Sequence, residues 1–159
     1  MDKYIQEIFE AQNTLRTDPT HFVPYLEEMA QSFRGKRYRK PGAPTIVTNE
    51  GAKAVFEAID FLNQQKPIHA LTLSEKLGKA AQDHADDTEA NGFVGHTGSD
   101  GSSMSDRIER HCQWSGTIGE NCAYSDIYEG GFEVVLNLLI DDGVSNRGHR
   151  RNIFNTSFN

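Results

Sequence analysis

Three short segments place ionisable side chains on loop-forming backbone. The run Gly95-His96-Thr97-Gly98-Ser99-Asp100-Gly101 carries a histidine among glycines and small polar residues. Gly119-Glu120-Asn121 carries a carboxylate, and Gly148-His149-Arg150 a second histidine. Two imidazoles and a carboxylate are a sensible first shell for Zn²⁺ or a similar divalent ion, with water in an open position. Spacing in the chain does not by itself bring the three together, and hydrogen bonding within the loops is the competing reading.

Other chemistries lack their signatures. There is no GxxxxGK[ST] phosphate loop, no GxGxxG, no HExxH and no GxSxG, so nucleotide binding and serine hydrolysis have no anchor. His84 falls on the apolar side of a helical pattern and reads as a satisfied core histidine. His21, His69 and His111 have no motif around them and read as surface or packing residues. Arg147 and Arg150 read as structural partners for Asp141 or Asp142.

The elements that must hold these residues are mostly helical. Ile5, Ile8, Phe9, Gln12 and Leu15 give a first helix over Asp2–Arg16, closed by Thr17-Asp18-Pro19. A second runs from Thr20 to Phe33 and a third from Glu50 to Gln65, with Ala54, Val55, Ala58, Ile59 and Leu62 inward. Thr72 and Glu75 have capping-box spacing ahead of a helix whose face is Leu77, Ala80, Ala81, His84, Ala85 and Thr88, ended by Asn91-Gly92. A short helix over Ser103–His111 and an apolar one over Phe132–Ile140 follow. Residues 34–49 read as a long loop, and Trp114–Tyr124 as irregular or weakly extended.

Composition bounds the rest. The chain has 159 residues, 36% of them apolar, enough for one domain with a core over 1–159. Its net charge of -7 argues against nucleic acid as a partner. Five bases between Arg34 and Lys40 stand against that balance; elsewhere 23 acids face 11 bases, a net of -12. That run is a solvated loop with a minor option of anion binding. No apolar stretch is long enough for a transmembrane segment. The leaderless start and two cysteines point to an intracellular protein, with a mature secreted form as the alternative. Cys112 and Cys122 fit no zinc-knuckle or CxxC spacing; one short disulfide or two free thiols both remain open.

Asn13-x-x-Arg16, Ala81-x-x-His84-Ala85, Gly95-His96-Thr97-Gly98, Gly119-Glu120-Asn121 and Gly148-His149-Arg150-x-Asn152 occur in an order that resembles the CAP superfamily. This superfamily comprises the cysteine-rich secretory, antigen 5 and pathogenesis-related 1 proteins. The stretch Asp141 to Val144 leading into Arg-Gly-His-Arg is similar to the SCP-like branch of bacteria and protists, which does without the usual disulfides.

The resemblance implies an α+β fold, a helix-rich α-β-α sandwich, here with the C-terminal strands of the sheet absent and an edge left open to a protein partner. It implies a cleft with two histidines and two acids. Carried over by motif these are His96, His149 and Glu120, with Asp141 in the place of the second acid, one methylene shorter than the family's, and Leu138 where the family has tryptophan. The function so implied is a binding or scaffold module for a protein, sterol or lipid, more in keeping with no enzyme activity than with one, and requiring no cofactor. The alternative is a zinc-dependent hydrolase or peptidase, with His96 and His149 on the ion and Glu120 as general base.

Overall fold

The computed structural model describes residues 2–125 and 130–159. In chain order the elements are α1 Lys3–Thr17, a 3-10 turn Pro19–Phe22, α2 Val23–Gln31, β1 Phe33–Arg34, β2 Arg37–Tyr38, β3 Ile46–Val47, α3 Ala52–Gln64, α4 Glu75–Asn91, α5 Met104–Glu109, α6 Gly131–Ile140 and α7 Gly148–Ile153. This is the helix-rich α+β class expected. No described helix is long and apolar enough to cross a membrane.

The chain forms two compact units: Met1–Ala70 with Ile127–Ser157 and Asn159, and Leu71–Asp126 with Phe158. The first contains the apolar core. Its α3 buries Ala54, Val55, Ala58, Ile59 and Leu62, the predicted face, together with Leu15 of α1, Leu26 of α2, and Val135 and Leu139 of α6. The mostly apolar α6 packs against α1, α3 and α7, leaving the Glu133–Asn137 edge polar. Arg16, fully buried in α1, donates to the carbonyls of His69 (2.9 Å), Ile153 (2.7 Å) and Asn155 (2.9 Å), so one side chain ties three distant backbone segments. Burial lowers its pKa.

Residues 34–49, expected to be a loop, belong partly to a three-stranded antiparallel meander. Phe33 pairs with Tyr38 and Tyr38 with Ile46. The Phe33 and Tyr38 rings lie 5.2 Å apart, and Gly35 takes the left-handed conformation that the tight connection needs. Strands of two residues carry no readable period, which is why the sequence conceals them. The first expected break also moves: the second helix ends at Gln31, and Phe33 is sheet.

The second unit has a thin apolar interior, Ala80 and Ile108, and a polar buried set of His84, Thr88, Ser102 and Arg107. Ser74 caps α4, accepting from the Leu77 N–H at 3.4 Å, in place of the Thr72–Glu75 box expected, and Gly92 closes it in a left-handed turn. Only Ala80, His84 and Thr88 of its predicted face are buried; Leu77, Ala81 and Ala85 are exposed. On α5 the capping box is complete, with Ser103 and Asp106 bonding each other's backbone.

Candidate functional site

In the second unit, α5 supplies Arg107 and the two loops supply His96, Glu120 and Cys122. His96 Nδ1 donates to Glu120 Oε1 at 2.9 Å, and Arg107 Nη2 donates to Glu120 Oε2 at 2.7 Å. Both carboxylate oxygens are thus committed to cationic or N–H donors. Burial pushes the Glu120 carboxyl up, but the His96 and Arg107 hydrogen bonds outweigh it and leave the group below its ordinary value. Arg107 also donates to the carbonyls of His96 (3.0 Å) and Ser102 (3.3 Å), fixing the Gly-rich loop to the helix.

Behind this pair stands α4. His84, 5% exposed, holds the Gly95 carbonyl through Nε2 at 2.7 Å, and Tyr124 donates its hydroxyl to the same carbonyl at 2.8 Å. A ring nitrogen of His84, a carboxylate oxygen of Glu120 and Cys122 Sγ all lie within 4.8 Å of one another. This group could hold a metal. Burial raises the Cys122 thiol to about 11, a neutral group in the metal-free protein. Cys112 and Cys122 are both free, which resolves the open question of their pairing.

The first unit holds the other two predicted residues. Asp141 ends α6 in the left-handed conformation and is 4% exposed. Its Oδ1 accepts from His149 Nδ1 at 2.7 Å, and its Oδ2 accepts the backbone N–H of His149 at 2.9 Å and of Arg150 at 3.4 Å. A single carboxylate therefore orients the imidazole and accepts the second and third N–H groups of α7, while Asn146 accepts the first. The four residues expected from the family resemblance are found as two pairs, His96 with Glu120 and His149 with Asp141, one in each unit.

Arg147 and Arg150 are structural, as read, but not through the carboxylates expected. Arg147 forms paired hydrogen bonds with Glu50 (2.6 and 2.8 Å) and with Glu57 (2.9 and 2.7 Å) and bonds the Asp141 carbonyl at 2.7 Å. Arg150 donates to the carbonyls of Leu139 (2.6 Å) and Ile140 (3.0 Å), groups left without helical partners at the end of α6, and to Glu57 at 3.0 Å. Asp142 instead accepts the backbone N–H groups of Asn49 and Glu50.

A groove of about 250 Å³ also opens in the first unit. Phe22, Tyr25, Phe132, His21, Glu7 and Glu10 line it, with Phe132 5.1 Å from Phe22 and 5.2 Å from Tyr25.

Sequence reasoning named His96, Glu120, His149 and Asp141 but passed over Arg107, took His84 as satisfied and left Cys122 without a role. A signal existed for the last: Glu120 and Cys122 are two apart in a stretch read as weakly extended, which puts both on one face. The His84 pattern marked burial and gave no sign of what its second nitrogen meets.

The family model described as CAP, the cysteine-rich secretory protein family, matches residues 9–159. No curated protein and no solved structure matches the chain.

Proposed function

The chain belongs to the CAP family, and from that premise we propose that it is a binding module for a protein partner and not a hydrolase. The state of Glu120 carries this reading. A general base needs a pKa near the working pH. Glu120 has one oxygen on Arg107 and the other on His96, and its carboxyl is held below the ordinary range. It is a weak base in a fixed position, suited to holding two loops in register.

The binding surface we assign is the groove of the first unit. At about 250 Å³ it is smaller than the roughly 300–1,000 Å³ of pockets for drug-sized ligands, so a basic side chain fits it better than a sterol or an acyl chain. Aromatic faces beside carboxylates favour a guanidinium or ammonium group. The strands of the meander, two residues each, offer a shorter surface for an added strand.

Binding of Arg-containing peptides, followed by calorimetry, tests the proposal. Tyr25→Ala and Glu10→Gln should each weaken it several-fold, while peptides and esters incubated with the protein stay uncleaved. Peptide cleavage lost in Glu120→Gln would reverse the conclusion.

A second reading has its own observation. Each predicted histidine gives Nδ1 to a carboxylate, the outer-shell arrangement that turns Nε2 toward a metal. His96 in its unit and His149 in the other each suit zinc in this respect, and an ion bound at either would supply a lowered water pKa. Glu120 and Asp141 would then orient imidazoles, and a hydrolase would have to draw its base from another group. Loss of zinc uptake in His96→Ala and His149→Ala, with folding intact, would favour this reading.

A further inference from the structure

We propose that His84, Glu120 and Cys122 form a binding site for a divalent transition-metal ion, with zinc as the first choice. The inference does not rest on the peptide-binding reading, and it involves neither His149 nor Asp141.

The argument begins at His84. A carbonyl oxygen only accepts, so the 2.7 Å contact with the Gly95 carbonyl places the proton on Nε2. In the neutral imidazole Nδ1 is then a bare lone pair. This atom is buried and has no hydrogen-bond partner, the one such side-chain atom among the described residues. A buried acceptor left unpaired costs roughly 1–3 kcal/mol. The protein tolerates that cost in a thinly packed unit, on a helix position where a leucine would have contributed apolar burial.

Two other donors stand close to this imidazole. The His84 nitrogen, a Glu120 oxygen and Cys122 Sγ are mutually within 4.8 Å. Zinc–ligand distances of about 2.0–2.3 Å put tetrahedral ligands roughly 3.3–3.8 Å from each other, so the three need to close by about 1.5 Å at most. Cys122 lies on a loop, which allows that adjustment. An N, O, S set selects zinc or cobalt over magnesium and calcium, which prefer oxygen alone.

The outer shell is already in place. Gly95 fixes the tautomer of His84, Tyr124 braces the same carbonyl, and Arg107 anchors the second oxygen of Glu120. His96 gives its Nδ1 proton to Glu120 and lies 3.5 Å from Cys122 Sγ, so it acts as a further orienting group. Three protein ligands leave the fourth position to water. As the sulfur–metal bond forms, the thiol proton leaves to solvent.

Cobalt titration of the purified, metal-free protein tests the site, because thiolate-to-cobalt charge transfer gives a near-ultraviolet band that no oxygen or nitrogen ligand produces. The expected result is one Co²⁺ per chain with that band, displaced by Zn²⁺. Cys122→Ser should abolish the band and weaken binding by about 100-fold or more, beyond the 10–100-fold loss usual for an outer-shell partner. His84→Gln should weaken it comparably, while Cys112→Ser and His149→Ala leave band and affinity unchanged. Should His84→Gln fail to fold, the near-isosteric Cys122→Ser decides alone. No thiolate band, a band retained in Cys122→Ser, or a band lost in Cys112→Ser or His149→Ala would overturn the proposal.

Discussion

Arg107 and Glu120 form a charge pair at 2.7 Å, with the arginine 2% exposed and its Nη1 on the His96 and Ser102 carbonyls. In a unit with few buried apolar side chains, this pair does what a packed core would otherwise do: it fixes the Gly95–Gly101 loop, α5 and the Gly119–Cys122 strand of chain in one arrangement. Such a pair is costly to desolvate and strongly destabilising to break. Its contribution is specificity of position for His96 and Cys122.

Removing the arginine should expose that dependence. Arg107→Met leaves Glu120 a half-buried carboxylate with only His96 beside it, and about 3 kcal/mol of stability should be lost. The Glu120 carboxyl should titrate higher than in the wild type, since burial then acts against one hydrogen bond in place of two. Urea denaturation reads the first effect and carbon chemical shifts against pH the second. A variant as stable as the wild type would mean that the pair is incidental.

Acid should act on the first unit through Arg147. Its hydrogen bonds hold Glu50 and Glu57 at about 2, against 4.5 for the free side chain. Both folded values are depressed, so the stabilisation is complete above about 4.5 and is lost as pH falls toward 2. The Glu57 side chain is 45% exposed, and solvent screening limits each pair to about 1 kcal/mol. Arg147→Met should flatten the fall of stability between pH 4.5 and 2, as followed by circular dichroism. An unchanged slope would place the acid sensitivity elsewhere.

The sequence made some of this legible and concealed the rest for identifiable reasons. The α3 face emerged because five apolar side chains obey one helical period. His149 and Asp141 were named because their motif is local, the two lying eight positions apart. Arg147 bonding Glu50 and Glu57, about 90 residues away, has no local trace. The α7 helix has one apolar residue, Ile153, among glycine and polar side chains, and the N–H groups of His149 and Arg150 depend on Asp141, so no propensity announces it. His84 was placed correctly in the interior, but periodicity reports burial alone, and the chemistry of its unpaired nitrogen comes from the Gly95 carbonyl eleven residues on.

Glycine at two helical positions should respond in opposite directions. A Cβ on Gly131 would sit 2.5 Å from the Tyr4 carbonyl oxygen and 2.7 Å from the Ile8 nitrogen, backbone atoms of α1 that cannot move without separating the helices. Gly131→Ala should therefore cost about 1–3 kcal/mol. Gly78 in α4 has open space around it, so Gly78→Ala should gain roughly 0.5–1 kcal/mol from helix propensity. Thermal melts should move by about 2–4 °C per kcal/mol, downward for the first variant and upward for the second. Equal shifts in one direction would contradict the close α1–α6 approach.

The short acid at position 141 follows from the backbone around it. Asp141 sits at a φ of 59°, where Asp and Asn are tolerated and longer side chains are not favoured, and its two oxygens already meet the His149 ring and the second and third N–H groups of α7. The glutamate implied by the family pattern would add a methylene to a position 4% exposed. Asp141→Glu should cost about 1–3 kcal/mol through overpacking and displaced hydrogen bonds. Asp141→Asn keeps volume and backbone and should cost less, on the order of 1 kcal/mol for the weakened bonds. Denaturation midpoints of the two variants decide the matter: glutamate tolerated as well as asparagine would mean that neither the turn nor the packing at position 141 excludes the longer acid, and that the family's ligand arm could be restored here without cost.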